Sequence, residues 1–81
     1  MDLRQLAALV AVGQTGSFSA AARQLNTVQS NVSTHVARLE RELGTELVDR
    51  SSGELTEAGT AVVVRARQIQ TELDAISSDM A

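Results

Sequence analysis

The sequence predicts a mostly α-helical fold, in which three helices form a core, a short two-stranded wing follows them, and one long helix ends the chain. Three observations support it. Apolar residues recur at spacings of three and four along most of the 81 residues, glycine or asparagine stands at the breaks, and proline is absent. Only one short stretch has a strand-like pattern, so little β structure is expected.

Composition limits the chemistry that the chain can carry. Without cysteine it has neither disulfides nor thiolate metal ligands, which suits a reducing cytoplasm, and we expect no cofactor or metal. Phe18 is the only aromatic residue, so there is no stacking platform for single-stranded nucleic acid. No stretch is long and apolar enough to cross a membrane. We therefore expect one cytoplasmic domain with an aliphatic core.

The net charge of −3 hides an uneven distribution. Residues 1–39 carry three arginines and one aspartate, a charge of +2, whereas residues 40–81 carry four arginines and nine acids, a charge of −5. Contacts with nucleic-acid phosphates are therefore expected in the first half. With seven arginines and no lysine, these contacts are few, so affinity for phosphate should be modest.

Two helices open the chain. The first is predicted over residues 2 to about 14, with an acid at its start and Gly16 after its end. Its inward stripe consists of Leu3, Leu6, Leu9 and Val10. The second helix is predicted over residues 17–25, capped by Ser17 or Ser19.

The third helix, predicted over about residues 28–43, has two unlike sides. Its apolar stripe consists of Val32, Val36, Leu39 and Leu43. The opposite side carries small or polar residues with hydrogen-bonding ends, which are Ser30, Thr34, Ala37 and Arg41, flanked by Gln29 and Ser33. A helix that is held to a core by one side and is polar on the other suits the major groove of double-stranded DNA. We therefore interpret it as a recognition helix.

The break between the second and third helices supports a helix-turn-helix. Asn26 tolerates the left-handed backbone conformation that ends a helix. Thr27 is expected to cap the next helix, its hydroxyl accepting from a free backbone N–H near Ser30. The alternative is an ordinary corner between two helices, which the local pattern does not distinguish from a DNA-binding motif.

A wing is predicted over about residues 46–56, directly after the recognition helix. Residues 46–50 form one short strand, residues 51–54 form the turn, and residues 55–56 form the returning strand. Arg50 lies at the base of this wing, from which it can reach the DNA backbone or the minor groove. The alternative is a solvated surface arginine.

The last helix begins at the capping residue Thr56 and continues to the end of the chain. About 24 residues span about 36 Å, which is more than a small domain covers. Its apolar residues alternate spacings of four and three, as in a coiled coil. They are Val62, Ala66, Ile69, Leu73, Ile76 and Met80. We expect a homodimer through this helix, with residues 1–56 as a DNA-binding domain and residues 57–81 as a linker helix.

The segments together carry a specific set of residues. It opens with Asp2-Leu3-Arg4-Gln5-Leu6, Gly16-Ser17-Phe18, Ala21-Ala22 and Leu25, continues with Gln29, Ser33, Leu39-Glu40, Leu43-Gly44, Leu47 and Arg50, and closes with Leu55-Thr56-Glu57-Ala58-Gly59. Over essentially its whole length the chain resembles the N-terminal winged helix-turn-helix DNA-binding domain of LysR-type transcriptional regulators. The resemblance implies a bacterial regulator that binds interrupted inverted repeats near promoters as a dimer, or as a higher oligomer in a longer protein. Such regulators normally continue into an effector-binding domain absent from this chain, so no small-molecule ligand is expected here.

The resemblance also implies contacts with DNA at particular positions. The candidate residues are Thr27, Gln29, Ser30, Asn31, Ser33 and Thr34 in the helix-turn-helix, and Arg50, Ser51 and Ser52 in the wing. Glutamine can read adenine through a paired donor and acceptor, and hydroxyls can serve bases or phosphates. The chain departs from the family pattern, because Ser30-Asn31 stands where many relatives have Pro-Ala, and Thr34 where many have arginine. The wing is also shorter than usual.

The residues also bear on other classes of function. An enzyme is not expected, since His35 is the only histidine, and Glu40 and Glu42 face different directions on a helix. The main alternative is a protein-interaction module, in which the winged fold is a scaffold and the long helix binds a partner. Overall acidity favours this alternative, and the polar cluster on the third helix opposes it. The remaining alternative is a DNA-binding domain from a different family of winged regulators.

Overall fold

The computed structural model describes all residues from Met1 to Ala81 and contains four helices. These are α1 (Leu3–Thr15), α2 (Phe18–Gln24), α3 (Gln29–Leu43) and α4 (Glu57–Met80). The only β pairing is an isolated antiparallel bridge between Val48 and Leu55. The predicted fold class, a mostly α-helical winged helix-turn-helix with a long last helix, is confirmed.

α1 is the centre of the core. Asp2 caps it by accepting a hydrogen bond from the Gln5 backbone N–H at 2.9 Å, and Gly16 ends it in a left-handed conformation with a φ of 83°. The other three helices pack on α1, so most residues from Gln5 to Val12 are buried. Leu3 departs from the prediction, since it is 52% exposed. It lies in the first turn, before the covering helices begin.

The turn between α2 and α3 confirms one predicted helix end and corrects a predicted cap. Asn26 adopts the left-handed conformation, with a φ of 55°, and Ser17 rather than Ser19 caps α2. Thr27 does not cap α3. Val28 occupies the cap position and makes no side-chain hydrogen bond there, because the turn extends one residue further than the sequence pattern indicated.

One apolar stripe anchors α3. Val32, Val36 and Leu39 are completely buried, and α3 packs on both α1 and α2. Leu43, the fourth predicted member of the stripe, lies in the last turn and is 38% exposed, lining an apolar groove together with Leu6 and Val62. Gly44 then ends the helix in the left-handed conformation, with a φ of 70°.

The wing is smaller than predicted. Instead of two strands it has the single bridge between Val48 and Leu55, extended by a hydrogen bond from the Asp49 N–H to the Glu54 carbonyl at 2.8 Å. Because α4 begins at the second residue after the bridge, no room remains for a longer ladder. Leu47 and Val48 are buried, so the short wing is nevertheless held against the core.

Only the first half of α4 belongs to the core. Thr56 caps the helix by accepting a hydrogen bond from the Gly59 N–H at 3.0 Å, as predicted. Ala66 is 1% exposed within the chain's own core, and Val62 packs partly buried against that core. Ala66 is therefore not free for the dimer seam predicted from the heptad pattern, whereas Val62 keeps part of its surface exposed.

Beyond Ala66 the same apolar stripe of α4 has no cover. Its members are Ile69, Leu73, Ile76 and Met80, and their exposure ranges from 40% at Ile69 to 81% at Met80. The molecule is 43 Å long and 18 Å across its shortest axis, as expected when half of a long helix extends beyond the core.

Candidate nucleic-acid interface

The residues predicted to read DNA lie on the outer surface of α3. They are Gln29, Ser30, Asn31, Ser33 and Thr34, and all of them are exposed, whereas Val32 between them is completely buried. The side chains that anchor the helix and those that are free to bind are thus separated onto opposite sides. This is the arrangement required for a helix that reads base edges in the major groove.

Thr27 and Asn31 form a hydrogen bond with each other at the start of α3. The Asn31 side-chain amide donates to the Thr27 hydroxyl at 2.9 Å. This bond uses one amide proton of Asn31 and leaves its carbonyl oxygen and second proton free, while the Thr27 hydroxyl can still donate. The pair therefore ties the turn to the reading helix and keeps groups available for a ligand.

The start of α3 is an uncapped helix terminus. Because Val28 makes no side-chain cap, the backbone N–H groups of Gln29 and Ser30 have no partner within the chain. Free N–H groups at a helix N-terminus attract anions through hydrogen bonds and the helix dipole. The reading helix thus offers backbone donors to a phosphate in addition to its side chains.

Two arginines on α3 were not among the residues predicted to contact DNA. Arg41 follows Thr34 by seven residues, so it points in nearly the same direction two turns along the helix. Arg38 is also exposed, and neither arginine has a carboxylate within ion-pair distance. The signal in the sequence was their spacing, since residues four and seven positions after Thr34 share its side of a helix.

Arg50 is partly engaged within the chain, at the base of the wing. Its Nη1 donates to Oε2 of Glu40 at 2.8 Å and to the carbonyl oxygen of Val48 at 3.1 Å. Its guanidinium carbon lies 5.2 Å from the ring centroid of Phe18, within cation–π range. The side chain is nearly half-exposed, and its Nε and Nη2 groups have no acceptor within the chain, so three N–H donors are free.

Glu40 fastens the wing to the reading helix. Its Oε2 accepts hydrogen bonds from the backbone N–H groups of Leu47 at 2.7 Å and Val48 at 3.3 Å, as well as from Arg50. Partial burial raises the pKa of Glu40, but the hydrogen bonds from Arg50 and from the two N–H groups outweigh it, so the pKa lies below its ordinary value of 4.5. The carboxylate is therefore ionised at neutral pH.

The tip of the wing is less suited to binding DNA than predicted. Ser51 donates its hydroxyl to Oδ1 of Asp49 at 2.6 Å, and its backbone N–H bonds to the same oxygen at 2.9 Å. These two hydrogen bonds lower the pKa of Asp49, and the bond from the hydroxyl has the larger effect. Ser52 accepts from the Glu54 N–H at 3.2 Å and keeps its own hydroxyl proton. Because Asp49 and Glu54 stand at the two ends of this tip, the electrostatic attraction of the tip for phosphate is weak.

No group of three or more His, Asp and Glu side chains lies close enough together to hold a metal ion. None of the four helices combines the length and the apolar composition that crossing a bilayer requires.

Comparison with known proteins agrees with the geometry of α3 and the wing. The family model described as bacterial regulatory helix-turn-helix protein, lysR family, matches residues 3–60. The chain belongs to this family. The matched range begins with α1 and ends in the first turn of α4, so it includes the whole lysR-type helix-turn-helix and wing. The resemblance inferred from the sequence is confirmed.

Curated lysR-type relatives are regulators of greater length. An uncharacterised helix-turn-helix regulator in the ibpB-leuC intergenic region of Azotobacter vinelandii is 46% identical over 76 residues, which cover 91% of this chain and 53% of that protein. The regulator BudR of Raoultella terrigena is 44% identical over 77 residues, which cover 93% of this chain and 27% of BudR. The chain thus spans between about a quarter and about half of these relatives.

Solved structures with the same fold include two DNA complexes. The DNA-binding domain of BenM with benA site 1 DNA superposes with a TM-score of 0.91 at 33% identity, covering 99% of this chain and 92% of that one. The DNA-binding domain of CbnR with DNA gives a TM-score of 0.85 at 38% identity, covering 99% and 93% of the two chains. The fold of this lysR-family chain is therefore one found in domains that bind DNA.

Proposed function

We propose that this chain is the DNA-binding part of a bacterial transcriptional regulator that recognises a specific double-stranded sequence as a homodimer. The observation that carries the proposal is the outer side of α3, where polar side chains are exposed above a completely buried aliphatic stripe. A helix of about 10–12 Å diameter fits the major groove, which is about 12 Å wide. Membership of the lysR family and the DNA complexes of the BenM and CbnR domains support it.

The residues that read the bases lie in the first half of α3. Gln29 and Ser33 are one turn apart, so they form one short polar row along the helix. Ser30 and Thr34 form a second row beside it. The amide of Gln29 can pair with the donor and acceptor of adenine, whereas the hydroxyls can donate or accept. Arg41, aligned with Thr34, suits a phosphate at the far end of the groove.

Contacts with the DNA backbone are few. The free donors are Arg38, Arg41, the uncapped N–H groups at the start of α3, and the Nε and Nη2 groups of Arg50. We infer that the wing, about residues 46–56, lies near the minor groove and contributes mainly through Arg50, since its serines and acids attract phosphate little. With a net charge of −3, the chain should bind modestly and with a steep dependence on salt.

The distal half of α4 supports the homodimer. Its exposed stripe from Ile69 to Met80 continues the seam that begins inside the core, and an apolar face of this length is typical of a helix that pairs with another. Two copies joined there would present two α3 helices to the half-sites of an interrupted inverted repeat. In the longer regulator, residues 1–56 would be the DNA-binding domain and residues 57–81 the linker helix, with higher oligomers formed by further domains. This role lies in the cytoplasm and requires neither catalysis nor a cofactor.

Selection of bound duplexes from a random pool, followed by titration of a selected duplex, tests the proposal. Gln29→Ala should weaken binding by about 1–3 kcal/mol, as expected for a lost base contact, and Ser33→Ala should weaken it to a smaller extent. Ser77→Ala, at an exposed serine on α4, is the control and should bind as the wild type does. Affinity should fall steeply as the salt concentration rises. If both α3 variants bind like the wild type, α3 is not the reading element.

A protein-interaction module is the second candidate function, favoured by the exposed apolar stripe of α4 and by the acidic net charge. In this case the winged fold is a scaffold and α4 binds a partner helix. The same titration separates the two functions, because a module of this kind shows no preferred duplex and no systematic loss of DNA affinity with salt.

A further inference from the structure

We propose that Glu40 is a positioning residue for DNA binding, which holds Arg50 and the wing in register with the reading helix without touching DNA itself. The inference rests on the proposed function, since it concerns how that DNA surface is assembled. It assigns a role to a carboxylate on α3, where a negative charge would otherwise only repel phosphate.

The geometry around Glu40 joins two elements through one atom. Oε2 accepts from the N–H groups of Leu47 and Val48 and from Nη1 of Arg50, so a single α3 side chain binds three groups of the wing. The Glu40 side chain is only 14% exposed, and its bonds to the wing are therefore shielded from competing water. The wing has only one β bridge of its own, and these hydrogen bonds join it to the recognition helix in addition to the packing of Leu47 and Val48 in the core.

Arg50 is ordered from two directions before any DNA arrives. Both protons of its Nη1 are used, on Glu40 and on the Val48 carbonyl, and Phe18 at the start of α2 lies against the guanidinium. The remaining three N–H donors lie on Nε and Nη2, which is the edge that can bind two oxygens of a phosphate together. Because the side chain is already held, binding a phosphate restricts it less than it would a free arginine.

The sign of the expected effect separates positioning from simple electrostatics. Glu40→Gln removes a negative charge from the DNA-binding helix, which by Coulomb attraction alone should strengthen DNA binding. Positioning predicts the opposite, a loss of affinity. Glu42→Gln is the matched control, because it makes the same charge change two residues away, on a half-exposed side chain paired only with the chain's N-terminal amine.

The experiment measures the affinity of the dimeric chain for a duplex selected with the wild type, at several salt concentrations. We expect Glu40→Gln to weaken binding roughly fivefold or more, and its salt slope to fall by about one phosphate contact, as for Arg50→Gln. The double variant should bind no more weakly than Arg50→Gln alone, because both changes remove the same contact. Glu42→Gln should bind as tightly as the wild type or more tightly.

Glu40→Asp is a second variant, which keeps the charge but shortens the side chain by one methylene. Because the shorter carboxylate cannot reach Leu47 and Arg50 together, this variant should also lose affinity.

The inference is overturned if the Glu40 variants bind like the wild type with an unchanged salt slope, or if the losses from Glu40→Gln and Arg50→Gln add. A wild-type chain that binds no duplex overturns the proposed function, and this inference with it. Normal wild-type binding with unaffected Glu40 variants overturns this inference alone.

Discussion

Gly59 in α4 and Leu47 in the wing are in direct backbone contact, since a Cβ atom on Gly59 would overlap the Leu47 carbonyl oxygen. The same carbonyl accepts a hydrogen bond from the Thr56 N–H at 2.9 Å, one residue before α4 begins. Thr56 in turn donates its hydroxyl to the Glu46 carbonyl at 2.7 Å. The first turn of α4 is thus held against the wing at a spacing that only glycine allows.

Gly59→Ala should lower the free energy of unfolding by about 1–3 kcal/mol or more, even though alanine favours a helix by about 1 kcal/mol over glycine. The loss arises because the Leu47 backbone cannot move aside as a side chain can. Gly13→Ala is the matched control, since a Cβ there meets only the flexible end of the Leu55 side chain. Urea unfolding at one chain concentration, followed by circular dichroism because the chain has no Trp or Tyr, measures both variants. Equal changes at the two glycines would contradict the close approach.

The turn before the reading helix depends on Asn26, whose φ of 55° is costly for most side chains. Asn26→Gly should leave the free energy of unfolding unchanged or slightly higher, whereas Asn26→Val should lower it by about 1–2 kcal/mol. Arg23→Val, an exposed position with helical backbone in α2, is the control and should cost no more than about 0.5 kcal/mol. The same urea unfolding experiment measures the three variants. A valine at position 26 that is tolerated as well as glycine would mean that this turn has a different backbone conformation.

The carboxylate of Glu40 should make stability depend on pH. Because the folded-state pKa of Glu40 is lowered, its contribution is fully present above the ordinary value of 4.5 and is lost as the pH falls through the folded pKa. At pH 7, Glu40→Gln should cost about 1–3 kcal/mol, the range for a charged hydrogen bond. The difference between the two proteins should shrink below pH 4.5, since a protonated Glu40 resembles glutamine. Urea unfolding of both proteins across this range measures it, and a difference that is independent of pH would rule out an ionised Glu40 as its source.

The exposed stripe of α4 predicts how the proposed dimer can be broken. Leu73→Glu places a charge in the middle of this stripe and should shift the chain toward monomer, because a buried carboxylate without a partner is costly. Thr71→Glu adds the same charge on the opposite side of the helix and should leave the dimer intact. Sedimentation over a range of chain concentrations measures both variants. Dissociation by both, or by neither, would argue against a dimer through this stripe.

Periodicity in the sequence identified which sides of the helices are apolar, but not where their cover ends. Leu3 and Leu43 carry the correct spacing and are nevertheless exposed, each in a terminal turn of its helix. Ala66 shows the reverse error, since a residue assigned to a dimer seam is buried in the chain's own core. The period of a helix depends on its own residues, whereas its cover depends on the lengths and crossing angles of the others.

The candidate site shows the same division. The exposed polar side of α3 was predictable, because the anchors and the polar residues are on one helix with a known rotation per residue. The partner of Arg50 was not, since Glu40 lies ten positions earlier, on a different element, and no sequence pattern linked the two side chains. The hydrogen bond from the Ser51 hydroxyl to Asp49 was not predictable either. It occupies the hydroxyl proton of Ser51, which was predicted to contact DNA.

The sequence by itself determined the number and order of the helices, the left-handed residue at Asn26, the polar side of α3, and the resemblance to the lysR family. Only the tertiary structure decided that the wing is a single β bridge fastened by Glu40, that Arg50 is partly committed inside the chain, and that the free part of α4 begins beyond Ala66. The first group follows from residues within a turn or two of each other, whose geometry is nearly constant. The second depends on which distant groups come within hydrogen-bonding or packing distance, and that is set by how whole elements pack.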